Sequence, residues 1–246
     1  MPFLTGGYPS LDVTTAAIGA VAAAGASVIE VGIPFSDPIA DGPVIAASMH
    51  EALAAGATVD SVFHAVRKAR RTTDVGLVAM VSASIVTKIG AQEFVACASD
   101  AGFDGLIVPD LDITCAGELG GFCDERGMSL SLLVAPNSSR ARVAQLTELC
   151  RGFIYLLARA GLTGERESNP EIAHSVEAIR LASALPIAAG FGLSTPAHVA
   201  AVTQHADAAI VGSALVRRMG STHPVEAAAE FTQLLATGLR TGATSA

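Results

Sequence analysis

Glu30, Asp37 and Asp41 fall within twelve residues of the run EVGIPFSDPIADGP, from Glu30 to Pro43, which also holds three prolines. Glu30 sits among Val28, Ile29, Val31 and Ile33. A carboxylate in such an apolar run is costly unless it is protonated or hydrogen-bonded. Burial raises a carboxyl pKa toward neutrality, which suits proton transfer. The run therefore supports two readings of Glu30: a general acid–base, or a structural carboxyl bonded to a neighbouring strand. Asp37 precedes Pro38 and Asp41 precedes Gly42, so each is a turn-former as well as a candidate for chemistry.

Two further segments carry chemistry. Ala189-Gly190-Phe191-Gly192 is followed by Ser194-Thr195, and Val211-Gly212 by Ser213. Paired glycines leading into helix starts hold a phosphate through backbone N–H groups without a lysine; two plain helix-entry turns are the other reading. The segment Tyr155–Pro170 contains Arg159, Gly161, Thr163, Gly164, Glu165 and Arg166. It reads as an active-site lid or as an ordinary long loop. Metal chemistry has no support. His50, His64, His174, His198, His205 and His223 fall on helices or near loops, where solvent-facing or helix-face positions are expected. Cys97, Cys115, Cys123 and Cys150 form no CxxC pair and read as small packing residues of a reducing cytoplasm. No lysine ends an apolar run, which argues against a Schiff-base aldolase.

These residues need a scaffold, and the hydrophobic pattern supplies one. Short apolar runs occur at 3–5, 27–31, 76–81, 105–108, 129–134, 153–157, 186–189 and 208–211. They are uninterrupted rather than alternating, as expected for parallel strands buried on both faces. Helix-like stretches lie between them at 11–24, 44–55, 59–71, 91–101, 140–149 and 171–184. Asp60 is a candidate cap for one, Ser194-Thr195-Pro196 opens another, and Gly25 and Gly102 are stops. Eight strands alternating with helices predict a single (β/α)8 TIM barrel spanning residues 1–246, with a frayed tail over 240–246. The length of 246 residues suits that fold, and no GxGxxG follows the first strand as a doubly wound sheet would require. In such a barrel the strand ends named above converge on one face. The net charge of −8, with Lys68 and Lys88 the only lysines, disfavours a nucleic-acid groove. No apolar run is long enough for a membrane span, and the first residues lack the basic lead of a signal peptide, so a cytoplasmic chain is expected.

With these motifs in place, the sequence closely resembles the tryptophan synthase α-subunit family. The likeness runs from Met1 to about Leu239 and rests chiefly on EVGIPFSDPIADGP. It is supported by PFLTGGYP (Pro2–Pro9), VPDL (Val108–Leu111), YLLARAGLTG (Tyr155–Gly164), GFG (Gly190–Gly192) and IVGSALV (Ile210–Val216). The resemblance implies a lyase that cleaves indole-3-glycerol phosphate by a retro-aldol reaction to indole and glyceraldehyde 3-phosphate. It implies that Glu30 moves the proton at indole C3 and that Asp41 hydrogen-bonds the indole N–H. Phe3, Tyr155 and Phe191 would line the indole site, and Gly164, Gly192, Gly212 and Ser213 the phosphate site. Thr163 would be the lid threonine, and Asp110 an acidic residue after strand four. The resemblance also implies a β-subunit partner in an α2β2 heterotetramer, with pyridoxal phosphate (PLP) on that partner and no cofactor or metal on this chain. Three departures stand out. The sequence opens directly on strand one, where the resemblance leads one to expect a short leading helix. The loop after strand three reads Met80-Val81-Ser82-Ala83-Ser84, where the family carries a tyrosine and an asparagine. Asp112 follows Leu111, with Thr114 and Cys115 at the family's acidic positions, which places the partner interface in question. A lyase acting without a partner, and an activating subunit with little catalysis of its own, therefore stay open on the sequence.

Overall fold

Leu4, Ile29, Leu77, Leu106, Ile154 and Ile187 are fully buried, and all pack into one large hydrophobic cluster with the helices. The intervening positions Val78, Ile107, Tyr155, Ala188 and Ile210 pack into a second cluster. Strands with apolar residues on both faces require cover on both, and a closed ring wrapped in helices provides it. The computed structural model describes residues 1–37, 41–157, 172–190 and 192–242.

The strands are β1 (Phe3–Thr5), β2 (Val28–Gly32), β3 (Gly76–Met80), β4 (Gly105–Ile107), β5 (Ser129–Ser131), β6 (Leu133–Val134), β7 (Ile154–Leu157), β8 (Ile187–Gly190) and β9 (Ala208–Ile210). All pairings between them are parallel, in a five-stranded order β1-β2-β3-β4-β5 and a four-stranded order β6-β7-β8-β9. The two sheets join at both ends. β5 and β6 are one stave interrupted at Leu132, whose N–H donates to the Cys150 sulfur (3.3 Å). At the other end Pro2 bridges Val211; the Phe3 N–H donates to the Val211 carbonyl (2.9 Å) and the Val211 N–H to that of Met1 (3.0 Å). The ring thus closes on eight staves, as the strand count predicts.

Helices α1 (Leu11–Ala23), α2 (Pro43–Ala54), α3 (Val59–Ala69), α4 (Ala83–Ile89), α5 (Ala91–Ala101), α6 (Ile113–Glu125), α7 (Arg140–Leu149), α8 (Ala173–Arg180), α9 (Pro196–Thr203), α10 (Ser213–Met219) and α11 (Pro224–Gly242) surround it. Their starts are capped locally. Ser10, Asp112, Ser139 and Thr195 each accept a first-turn N–H. At α3 the expected Asp60 cap is replaced by a capping box. The Thr58 hydroxyl accepts the Ser61 N–H (3.2 Å) and the Ser61 hydroxyl accepts the Thr58 N–H (2.8 Å). Thr58 takes the extended backbone a cap requires, so the helix begins at Val59 and Asp60 lies in its first turn. Gly102 ends α5 in the left-handed region, as expected of a stop. α11 continues through Gly242, past the point where fraying is expected to begin.

At the N-terminal ends of the strands the same clamp occurs twice. Asp104, just before β4, accepts the Leu77 N–H (2.7 Å) and a guanidinium N–H of Arg70 (2.6 Å). Asp207, just before β9, accepts the Ile187 N–H (2.7 Å) and a guanidinium N–H of Arg180 (2.8 Å). Each arginine precedes its strand residue by seven positions. The clamps tie staves three to four and seven to eight, at the end of the barrel that serves stability.

Candidate active site

Glu30 lies mid-strand in β2, in register with Phe3 and Val78. The residue is 0% exposed, and neither carboxyl oxygen has a hydrogen-bond partner among the described residues. An ionised carboxylate there is poorly solvated, so burial pushes the Glu30 pKa up to about 8. Asp41 precedes Gly42, the cap of α2, and burial pushes its pKa up to about 6. At neutral pH the first is protonated and the second ionised. Two carboxyls split across neutrality are what an acid–base pair requires.

Tyr155 is buried in β7. Its phenol is held well above the usual range, by burial first and then by the negative charges of Glu30 and Asp41. Glu30 and Asp41 therefore both lie within electrostatic reach of Tyr155, around one site. Phe3 closes its side. The ring of Phe3 packs on Ile45 and Met49 of α2 and Val216 of α10. It lies over Gly32, where a β-carbon would stand 2.5 Å from the Phe3 Cζ. Glycine is needed at position 32 to seat that ring.

The loops after β8 and β9 are neighbours because Gly190 pairs with Ile210. Gly192, in the first, has the left-handed backbone that favours glycine (φ +77°). Gly212 caps α10, and Ser213 is buried in its first turn. A β-carbon at Gly212 would make only ordinary contact with Phe3, so packing alone does not demand glycine there. Phe191, Thr163 and Gly164 lie outside the described residues.

Three features were not legible in the sequence. The Ser131 hydroxyl is fully buried in β5 and has no partner among the described residues; its signal is the polar alternation Ser129-Leu130-Ser131 inside an apolar run. Asp110 latches the neighbouring loop, accepting the Ser82 hydroxyl (2.7 Å) and the Ala83 N–H (2.8 Å). Its signal is Ser82, which caps α4. His198, expected on a helix face or in solvent, is 3% exposed, and its Nδ1 accepts the Ser194 N–H (3.2 Å) beside the Gly192 loop. Of the cysteines, Cys123 and Cys150 are buried as packing residues, whereas Cys115 is exposed. Among the described residues no group of three or more His, Cys, Asp or Glu is placed to hold a metal, and no helix is long and apolar enough to cross a membrane.

The family model of the tryptophan synthase alpha chain matches residues 1–242. The chain belongs to that family. It is 42% identical over 243 residues to the tryptophan synthase alpha chain of Rhodopirellula baltica, covering 94% of this chain and 87% of the relative. It is 44% identical over 222 residues to that of Halorhodospira halophila, covering 89% and 81%. Among solved structures, tryptophan synthase of Mycobacterium tuberculosis superposes with a TM-score of 0.89 at 34% identity, over 97% of this chain and 91% of that one. The tryptophan synthase A-subunit of Pyrococcus furiosus gives 0.89 at 32% identity, over 96% of each. Family membership makes the chain a lyase of tryptophan biosynthesis that cleaves indole-3-glycerol phosphate, and the ring of eight staves is the barrel those relatives share.

Proposed function

We propose that Glu30 and Asp41 carry the cleavage as an acid and an anion of opposite protonation. The observation behind this is their pKa split, about 8 against about 6, with both carboxyls acting on the buried Tyr155 phenol. Protonated Glu30 delivers its proton to indole C3, which makes the ring an electron sink. The C3–glyceryl bond then breaks; its electron pair returns to the ring, and the carbon released becomes the aldehyde of glyceraldehyde 3-phosphate. The proton lost from that carbon's hydroxyl restores the acid. Ionised Asp41 accepts a hydrogen bond from the indole N–H and stabilises the positive charge that develops there. The apolar walls around Glu30 exclude water and keep its proton available.

Phe3 and Tyr155, with Phe191, hold the indole. Gly192, Gly212 and Ser213, with Gly164, hold the phosphate through backbone N–H groups, and Thr163 closes over Asp41. The partner is a β subunit in an α2β2 assembly, which receives the indole and carries the pyridoxal phosphate. That the solved relative from M. tuberculosis is a tryptophan synthase supports a β-subunit partner. The setting is the cytoplasm. The deciding experiment is indole release from indole-3-glycerol phosphate by the chain alone and after mixing with a β subunit. Wild-type turnover that Glu30→Gln lowers by about a hundredfold or more, and that the β subunit raises, is the expected result. Turnover unchanged in Glu30→Gln overturns the assignment.

A further inference from the structure

Asp41 stands at the start of α2, so whatever fixes α2 fixes Asp41. Gly42 caps that helix and Pro43 opens it. Its buried stripe is Ile45, Ser48, Met49 and Ala52, the spacing of one helix face. Ser48 is the polar member of that stripe and is 2% exposed. Its hydroxyl donates to the Ile45 carbonyl (2.7 Å), one turn back toward Asp41. With its proton so used, Ser48 accepts at 2.7 Å from the hydroxyl of Thr5, which is 0% exposed and ends β1. Thr5 O–H, Ser48 O–H and Ile45 C=O thus form a short chain of two buried hydrogen bonds. It runs from the strand that carries Phe3 to the helix that follows Asp41.

We propose that Thr5 and Ser48 are positioning residues for Asp41. Ile45 and Met49 of α2 also pack with Phe3 of β1 and Val216 of α10, and these contacts are apolar. Apolar contacts set the distance of a helix from its neighbour but tolerate rotation and sliding. A hydrogen bond between two buried hydroxyls does not, since it weakens steeply with distance and angle. The pair therefore sets the rotation and height of α2 on the barrel rim, and through Gly42–Pro43 the point at which Asp41 enters the site. The same chain ties Asp41 to Phe3, two residues from Thr5, so the residue proposed to meet the indole nitrogen and the residue proposed to meet its ring share one frame.

The inference rests on the role proposed for Asp41, and its test separates the two. Indole release is measured for the wild type, Thr5→Val, Thr5→Ser, Asp41→Asn and the double variant Thr5→Val/Asp41→Asn. Valine keeps the shape of threonine and drops the hydroxyl. The expected result is a fall in kcat of about ten- to a hundredfold for Thr5→Val, the scale of a small misplacement of a catalytic group, with KM changed far less. Thr5→Ser restores kcat, and Thr5→Val costs nothing further once Asp41 is Asn. A full multiplicative loss in the double variant, or an unchanged kcat in folded Thr5→Val, overturns the inference. Unchanged turnover in Asp41→Asn overturns the role of Asp41 instead. Ser48→Ala removes the same bond from the helix side and must give the same kinetic pattern, so the inference stays open to refutation if Thr5→Val does not fold.

Discussion

Glu30 on β2 and Tyr155 on β7 stand on staves two and six of eight, opposite each other across the bore, and the charge of Glu30 helps hold the Tyr155 phenol above its ordinary range. The relationship exists only when the ring is closed. Burial first, and that charge second, keep Tyr155 a neutral hydroxyl, in line with the carboxyls being the groups proposed to move protons.

Glu30→Gln is expected to lower kcat by about 10²–10⁴-fold, the usual weight of a general acid–base. It is also expected to change the pH dependence of stability. Between the ordinary value of 4.5 and about 8, folded Glu30 holds a proton that the unfolded chain releases. The folded state then binds more protons, so wild-type stability falls as pH rises through that window, by at most about 1.4 kcal/mol per pH unit. Glutamine does not titrate. Denaturant melts of both proteins at several pH values check this: the variant must gain on the wild type from acid to neutral pH.

The kcat/KM profile is expected to be a bell, rising through about 6 as Asp41 ionises and falling through about 8 as Glu30 loses its proton. Asp41→Asn should remove the acidic limb, leave the basic limb in place, and lower the maximum by about 10²–10³-fold. A profile of indole release against pH decides it; an acidic limb that persists in the variant assigns the titration elsewhere.

Gly32→Ala drives a methyl group into the Phe3 ring. Overpacking of this kind costs about 1–3 kcal/mol. The displaced ring should weaken substrate binding, seen as a higher KM, together with a lower melting temperature. Phe3→Ala should cost less stability in Gly32→Ala than in the wild type, because the collision is already relieved, while KM stays high.

Asp207→Asn keeps one oxygen to accept the Ile187 N–H and removes the half-exposed ion pair with Arg180. A stability loss of about 1 kcal/mol or less is expected, with kcat and KM unchanged, because the clamp lies at the far end of the barrel from the site. Asp104→Asn should behave alike, and chemical denaturation with parallel kinetics tests both.

The strands were legible because their apolar runs are short and bounded, and Glu30 because a carboxylate interrupts one of them. α4, α6 and α11 were harder. α4 has seven residues between the Ser82 cap and Gly90. α6 carries Gly117, Gly120 and Gly121, poor helix formers held in place by the Asp112 cap and by burial of Ala116, Leu119 and Cys123. In α11, Gly238 reads as a break, yet it lets the helix approach α9 closely, since a β-carbon there would collide with the Pro196 carbonyl. The site divides the same way. Residues that act through local setting, such as Glu30 and the glycine turns, show in one stretch of chain. Contacts made by closure do not: Thr5 and Ser48 are 43 residues apart, and Ser82 and Asp110 28.

The interruption at Leu132 gives this ring a seam. One stave serves both sheets there, and the amide between its two halves rests on the Cys150 thiol, a soft and weak acceptor, where a regular strand would offer a carbonyl. Each sheet keeps its own Asp–Arg clamp, Asp104 in one and Asp207 in the other. Native-state hydrogen exchange is the measurement that reads such a seam: the Leu132 amide is expected to exchange faster than the ladder amides on either side of it.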